Sequence, residues 1–274
     1  MPIVRFHGFN RQIRRHGFVS DRVGNKSAET ARVSSHWGVD YRYSKYETQS
    51  RIARHRGGKL SGYLQYLRYG YQTLLSESLS HVLIVVVAML VSFVVAAMLG
   101  LFAYRRTWLA EPLLSITSTA LTLPSLALFG LMIPIFGLGF VPTLIVLAIY
   151  AVMPILRNLI TGLNSISPAI LEAATGIGMT RTRRLFVVEI PLAWPIIVTG
   201  LRFSSMMVVG VAAVGAYVGG PGLGATLFNG LAEVGSRSAV PEVLSATVMI
   251  LLIAIALDGF FWLISRLTVS PGIR

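Results

Sequence analysis

The chain has no cysteine among its 274 residues. Disulfides, thiolate nucleophiles and cysteine-based metal sites are therefore excluded. Charge is scarce too: Asp, Glu, Lys and Arg supply 13% of the residues, about half the share usual in soluble domains. Acids are the scarcer sign, 11 against 24 Lys and Arg. So little polar surface cannot face water on all sides. No G-x-x-x-x-G-K-[ST] occurs, since Gly57-Gly58-Lys59 is followed by Leu60; a P-loop for ATP is not expected. No H-E-x-x-H occurs, and His7, His16, His36 and His55 are scattered through a polar tail. No metal site is expected there. No serine or pair of acids has a context that suggests catalysis, so the chain is not read as an enzyme. No short apolar segment follows the basic N-terminus within its first 30 residues, so a secretory signal is not expected.

Apolar residues are plentiful, at 54%. Five stretches have the roughly 20 mostly apolar residues that a bilayer core requires. They run from about Leu79 to Tyr104, Leu109 to Phe136, Phe140 to Leu163, Ile190 to Val218 and Val240 to Leu267. The expected fold is an all-α membrane bundle of five spans. Pro124, Pro134, Pro142 and Pro154 interrupt the second and third stretches, which predicts kinked or broken helices packed inside protein.

Basic residues give the orientation. Arg105 and Arg106 lie between the first two spans, and Arg157, Arg181, Arg183 and Arg184 between the third and fourth; Arg266 and Arg274 follow the fifth. All fall on one side, expected to be the cytoplasmic side of a multi-pass membrane protein. The opposite loops, Ile135–Gly139 and Gly219–Ala239, carry only Arg237 and Glu233. Residues 1–70 hold 14 Lys and Arg against 4 acids, a net of +10, and the remaining residues 10 against 7, a net of +3. An odd number of spans would put that tail outside, against the positive-inside rule, although long segments escape it. Residues 1–60 have no defensible period and read as a disordered basic extension, with residues 61–274 as the membrane domain. A start codon assigned too far upstream, the true start lying near Leu60, would account for the conflict. Charge runs of this kind are usually solvated, and no nucleic-acid partner is expected.

The polar segment Asn164–Pro191 reads NSISPAILEAATGIGMTRTRRLFVVEIP. Ser167 can cap a helix with Pro168 in its first turn. Glu172 lies early in that helix, where an acid is favoured. Gly176 and Gly178 then break it, Thr180 can cap a second short helix, and Pro191 begins the fourth span. The result is a helix–glycine–helix elbow on the cytoplasmic side.

This elbow resembles the loop of permeases of ATP-binding-cassette importers, whose pattern is E-A-A, three residues, G, nine residues, I-x-L-P. The matching residues are Glu172-Ala173-Ala174, Gly178 and Val188-Glu189-Ile190-Pro191. Val188 replaces the usual Ile and Ile190 the usual Leu. The resemblance implies that Glu172, Ala173, Ala174, Gly178 and Pro191 belong to a coupling helix that fits a cleft on a cytoplasmic ATPase subunit. ATP and Mg would be held by that subunit and no cofactor by this chain. Leu123-Pro124-Ser125-Leu126-Ala127-Leu128, Tyr150, Met153-Pro154-Ile155 and Arg157-Asn158 are similar to the osmoprotectant branch, which imports glycine betaine, carnitine, choline or proline betaine. Gly219-Gly220-Pro221-Gly222-Leu223-Gly224 is also similar, with Pro221 a departure. The resemblance spans roughly Tyr63 to Leu267. It implies a type I importer permease, with Pro124, Ser125, Tyr150, Pro154, Asn158, Gly220 and Gly222 bordering the translocation path and the first span outside, facing lipid. One such chain encloses half a path, so a second copy or a paralogue is expected, together with an extracytoplasmic solute-binding protein. Permeases of the same architecture for an amino acid, a sulfonate or an oxyanion remain open at this point. An ion-coupled secondary transporter would show inverted repeats and midplane ion-binding charges, and no such repeat is visible.

Arg202 and Asp258 are charges inside apolar spans, at depths that can coincide. Such groups face the bundle and pair. They read as a structural ion pair or as a pathway site.

Overall fold

The structure is a computed structural model that describes residues 59–236 and 238–269. The expected basic extension therefore lies outside the described residues, apart from its last two, as do Arg237 and Arg274. The described residues form helices only. In chain order these are α1 (Lys59–Ala103), α2 (Thr107–Thr122), α3 (Ser125–Phe136), α4 (Phe140–Asn164) and α5 (Pro168–Gly176). They are followed by α6 (Arg181–Arg184), α7 (Ile190–Gly215), α8 (Gly224–Ala232) and α9 (Ala239–Thr268).

Four helical stretches, Tyr63–Ala103, Phe140–Asn164, Arg181–Val218 and Ala239–Thr268, are long and apolar enough to cross a membrane. The second expected span is not straight: Trp108–Thr122 and Ser125–Phe136 meet at 97°. Leu123 and Pro124 are both extended at this break, as the residue before a proline is pushed out of the helical region and proline has no N–H to continue the ladder. The first span also differs from expectation. Helix α1 begins 20 residues before Leu79. Its early turns are too polar for an apolarity window, yet Leu74 is buried and Tyr66 and Leu67 pack against the main core.

Helix α4 is the centre of the bundle, buried along most of its length from Pro142 to Leu163. It packs most extensively against α7, then α1, α2 and α3. Ile84, Val85 and Ala88 of α1 meet Leu147, Ala151 and Ile155 of α4 and Val208, Val209 and Ala212 of α7 in one core. In lipid, helix association rests on close packing and interhelical hydrogen bonds. Ser204 Oγ donates to the Ala151 carbonyl at 3.0 Å, and the buried His81 ring meets the Val209 carbonyl at 3.1 Å. Ser92 Oγ reaches the carbonyls of Ala88 and Ala148 at 2.6 and 3.3 Å. Helix α1 covers α4 with one face and leaves Leu79, Leu83, Leu90, Val94 and Met98 exposed on the other. Helix α9 packs on α8 and α7 and likewise exposes apolar residues from Val240 to Phe260.

Candidate functional site

The polar segment folds as an elbow. Pro168 sits in the first turn of α5, where its missing N–H costs nothing. Ser167 occupies the N-cap position, but its side chain makes no capping bond. The helix ends in a Schellman arrangement: Met179 N donates to the Ala174 carbonyl at 3.1 Å and Gly178 N to the Thr175 carbonyl at 2.9 Å. This arrangement requires a left-handed residue at the turn, and Gly178 supplies it with φ 80°. The spacing from Ala174 to Gly178 is thus the spacing of a helix end. Ala174 is buried, while Glu172, Ala173 and Gly178 are exposed. Thr180 Oγ1 accepts from Arg183 N at 3.4 Å and caps α6. Between α6 and α7, Leu185–Glu189 form a π-helical turn. Pro191 explains it: a proline cannot donate to the carbonyl four residues back and clashes with it, so the turn widens.

Glu189 was not singled out as a site residue by sequence reasoning. It is fully buried. Its Oε1 accepts from Arg184 Nε at 2.8 Å and from Arg105 Nη2 at 3.3 Å. Arg184 Nη1 in turn donates to Thr175 Oγ1 at 2.7 Å. This chain of bonds ties the elbow helix α5 to the start of α7 and to the end of α1. A cleft of about 460 Å³ beside it is lined by Arg105, Leu171, Glu172, Thr175 and Arg184, among others. The available signal was an acid two residues before Pro191, close to basic residues, which cannot leave its charge unpaired when buried.

The residues expected to border the path fall into two groups in the single chain. At the first, the Tyr150 hydroxyl donates to the Leu123 carbonyl beside Pro124, the exposed N-cap residue of α3, and half-buried Ser125 starts that helix. Pro154 is buried inside α4, and Asn158 Nδ2 donates back to its carbonyl at 2.8 Å. Asn158 also packs tightly on Gly200 of α7. At the second, Gly220 lies against Thr143 of α4 and Gly222, with φ 121°, against His81 of α1. Both glycines are buried.

Arg202 of α7 and Asp258 of α9 are brought together as a two-pronged ion pair, Nε to Oδ1 and Nη2 to Oδ2, the latter at 2.6 Å. The pair is partly exposed at the side of the single chain. Arg157, expected in a loop, instead lies inside α4, seven residues before its end.

The fold and these sites have counterparts in known proteins. The family described as "Binding-protein-dependent transport system inner membrane component" matches residues 88–269. The osmoprotectant import permease protein OsmW of Salmonella typhimurium is 41% identical over 209 residues, which cover 73% of this chain and 94% of that protein. The choline transport system permease protein OpuBB of Bacillus subtilis is 36% identical, covering 70% of this chain and 91% of that protein. The glycine betaine/carnitine/choline transport system permease protein OpuCB of Bacillus subtilis is 35% identical, with 73% and 91% covered. Among solved structures, a chain of the inward-facing MetNI methionine ABC transporter superposes with a TM-score of 0.64 at 21% identity, covering 72% of this chain and 96% of that one. That likeness establishes the fold, a type I importer permease bundle. With the family match extending over residues 88–269 and relatives this similar over most of their length, the chain belongs to the binding-protein-dependent transport system inner membrane components.

Proposed function

We propose that this chain is the permease subunit of an ATP-driven importer for quaternary ammonium osmoprotectants such as glycine betaine, carnitine or choline. The observation that carries the coupling half of this reading is the elbow. Helix α5 ends in a rigid glycine turn and exposes Ile170 and Ile177 beside Glu172, with Ile177 74% accessible. Exposed apolar side chains beside a charge suit a docking knob for a soluble partner. The solute class is supported by the names of the relatives.

ATP and Mg belong to the ATPase subunits in this reading, because the chain carries no P-loop. The basic end of the bundle faces the cytoplasm of a bacterial cell, where these subunits dock. Displacement of α5 passes through Thr175, Arg184 and Glu189 into α7, and through Arg105 into α1. Helix α7 packs along α4, so the pair moves as a body, and the break at Leu123–Pro124 lets α2 and α3 change their angle. ATP drives the cycle because it binds the two states with different affinity. A second copy or a paralogue completes the path. An extracytoplasmic binding protein delivers the solute, and an aromatic cage on that protein supplies most of the selectivity.

The test is reconstitution of the chain with its ATPase and binding protein in liposomes, followed by uptake of labelled glycine betaine, carnitine and choline. Uptake is expected to require ATP and to survive collapse of ion gradients. Uptake that disappears with the gradient, or absence of uptake for all three solutes, would overturn the reading.

A further inference from the structure

A cavity of about 270 Å³ opens between α2 and α4, lined by Leu114, Ser115, Ser118, Met153 and Arg157. Its lining residues belong to helical stretches apolar enough to cross a membrane, Trp108–Thr122 as one arm of the bent pair and Phe140–Asn164. Arg157 is seven residues from the basic end of α4, about 10 Å at 1.5 Å per residue. Ser115 and Ser118 are eight and eleven residues from the same end of α2, about 12 and 16 Å. Arg157 is exposed and has no hydrogen bond or ion pair with any described residue. Arg202, also inside a candidate span, has Asp258, and Arg184 has Glu189. A guanidinium left unpaired at this depth is costly against lipid and is retained where it faces water or a ligand.

The rest of the lining points the same way. Ser115, Ser118 and Thr122 recur at helical spacing on one face of α2, and this row leads from Arg157 to the break at Leu123–Pro124. Ser118 and Thr122 donate their hydroxyl protons to carbonyls of their own helix at 2.9 and 2.7 Å. The Ser115 hydroxyl makes no such bond, so its proton is available in the cavity that Arg157 also lines. Arg157 can grip a carboxylate with two parallel N–H groups, and Ser115 can add a third donor. Leu114 and Met153 offer an apolar wall to a methylated group carried on the same molecule.

We infer that the Arg157–Ser115 cavity is a carboxylate-binding station on the translocation path, which takes the anionic end of a zwitterionic solute. The inference rests on the importer reading for its solute class. It separates glycine betaine and carnitine, which carry a carboxylate, from choline, which does not.

The chain's lack of cysteine permits a direct test in the reconstituted complex. Ser118→Cys is treated with an anionic methanethiosulfonate (sulfonatoethyl) and with a cationic one (trimethylammonioethyl). The anionic reagent is expected to be favoured, and adding Arg157→Gln should lower the anion-to-cation rate ratio about tenfold, as fits the loss of one focusing charge. Glycine betaine should slow the labelling and choline should not. In uptake, Arg157→Gln should raise KM for glycine betaine about tenfold or more, as expected for a lost charged hydrogen bond, and leave choline within about twofold by the same reasoning. Arg157→Lys should fall between the two. A cysteine inert to both reagents, a rate ratio unmoved by Arg157→Gln, or equal losses for both solutes would overturn the station. The labelling ratio reads the site even in a complex that carries neither solute, so failure of the solute assignment and failure of the station are told apart.

Discussion

The phenolic hydroxyl of Tyr150 donates to the carbonyl oxygen of Leu123, across the gap between α4 and the end of α2. Leu123 is the residue at which α2 stops, so its carbonyl has no N–H in its own helix to meet. The bond closes that vacancy and anchors the point of the 97° break on the central helix. Tyr150→Phe keeps the ring and removes the donor. Leaving such an acceptor unpaired costs about 1–3 kcal/mol. The thermal midpoint of the purified permease should fall, as read by tryptophan fluorescence on heating; an unchanged midpoint would mean that the break holds without the bond.

Gly178 sets the turn of the elbow. Its φ of 80° strains any L side chain, although space around it is open. Gly178→Ala should therefore destabilise the α5 terminus by about 1–2 kcal/mol, and Gly178→Asn, which tolerates the left-handed region, by less. Gly178→Asp places a charge on the docking knob as well. It should insert normally in the membrane while ATP hydrolysis proceeds without uptake. Wild-type transport by Gly178→Asp would remove the coupling role proposed for the elbow.

Glu189 holds two arginines from a fully buried position. Glu189→Gln leaves Arg184 without its counter-ion, and breaking a buried pair costs about 3–5 kcal/mol. Arg105 is 41% exposed and contributes less. Hydrogen exchange over residues 168–184 should speed up in Glu189→Gln. The double variant Glu189→Gln with Arg184→Gln should recover part of the lost stability. Equal exchange in the single variant and the wild type would argue that the elbow is held by packing alone.

For Arg202 and Asp258, removing one charge is expected to be worse than exchanging both. Asp258→Asn should lower expression and the yield of folded protein, and Arg202→Asp with Asp258→Arg should restore part of it. The readout is monodisperse protein after detergent extraction. If the swapped pair performs no better than the single variant, direct attraction between the two side chains is not what holds α7 to α9 there.

Several elements were legible because they are local. The motif spacing from Ala174 to Gly178 is that of one helix terminus, and Pro191 at the start of α7 acts within a single turn. The last three expected spans match α4, α7 and α9 closely, because each is one apolar run between polar ends. The start of α1 was not legible. Its early turns bear Tyr66, Leu67 and Leu74 on a packed face among polar residues, so the run is apolar on one side only. The place of Arg157 was misjudged for a related reason: an arginine near the end of an apolar stretch reads as a loop, yet the α4 ladder continues to Asn164.

Hydropathy, basic-residue asymmetry and the elbow motif determined by themselves that this chain is a multi-span helical membrane protein with a polar elbow between its third and fourth spans. The spans and the elbow each depend on a segment no longer than about 30 residues, in which solvent preference and backbone geometry act locally, and the charge asymmetry only compares such segments. Only the tertiary structure decided which helix is central, that Glu189 meets Arg105 from 84 positions away, and that Tyr150 caps the broken helix. It also placed Arg157 and Ser115 in one cavity. These depend on how helix faces pack side by side. In lipid that packing is set by small residues and by the need of each buried polar group for a partner, and the linear order of the chain does not contain it.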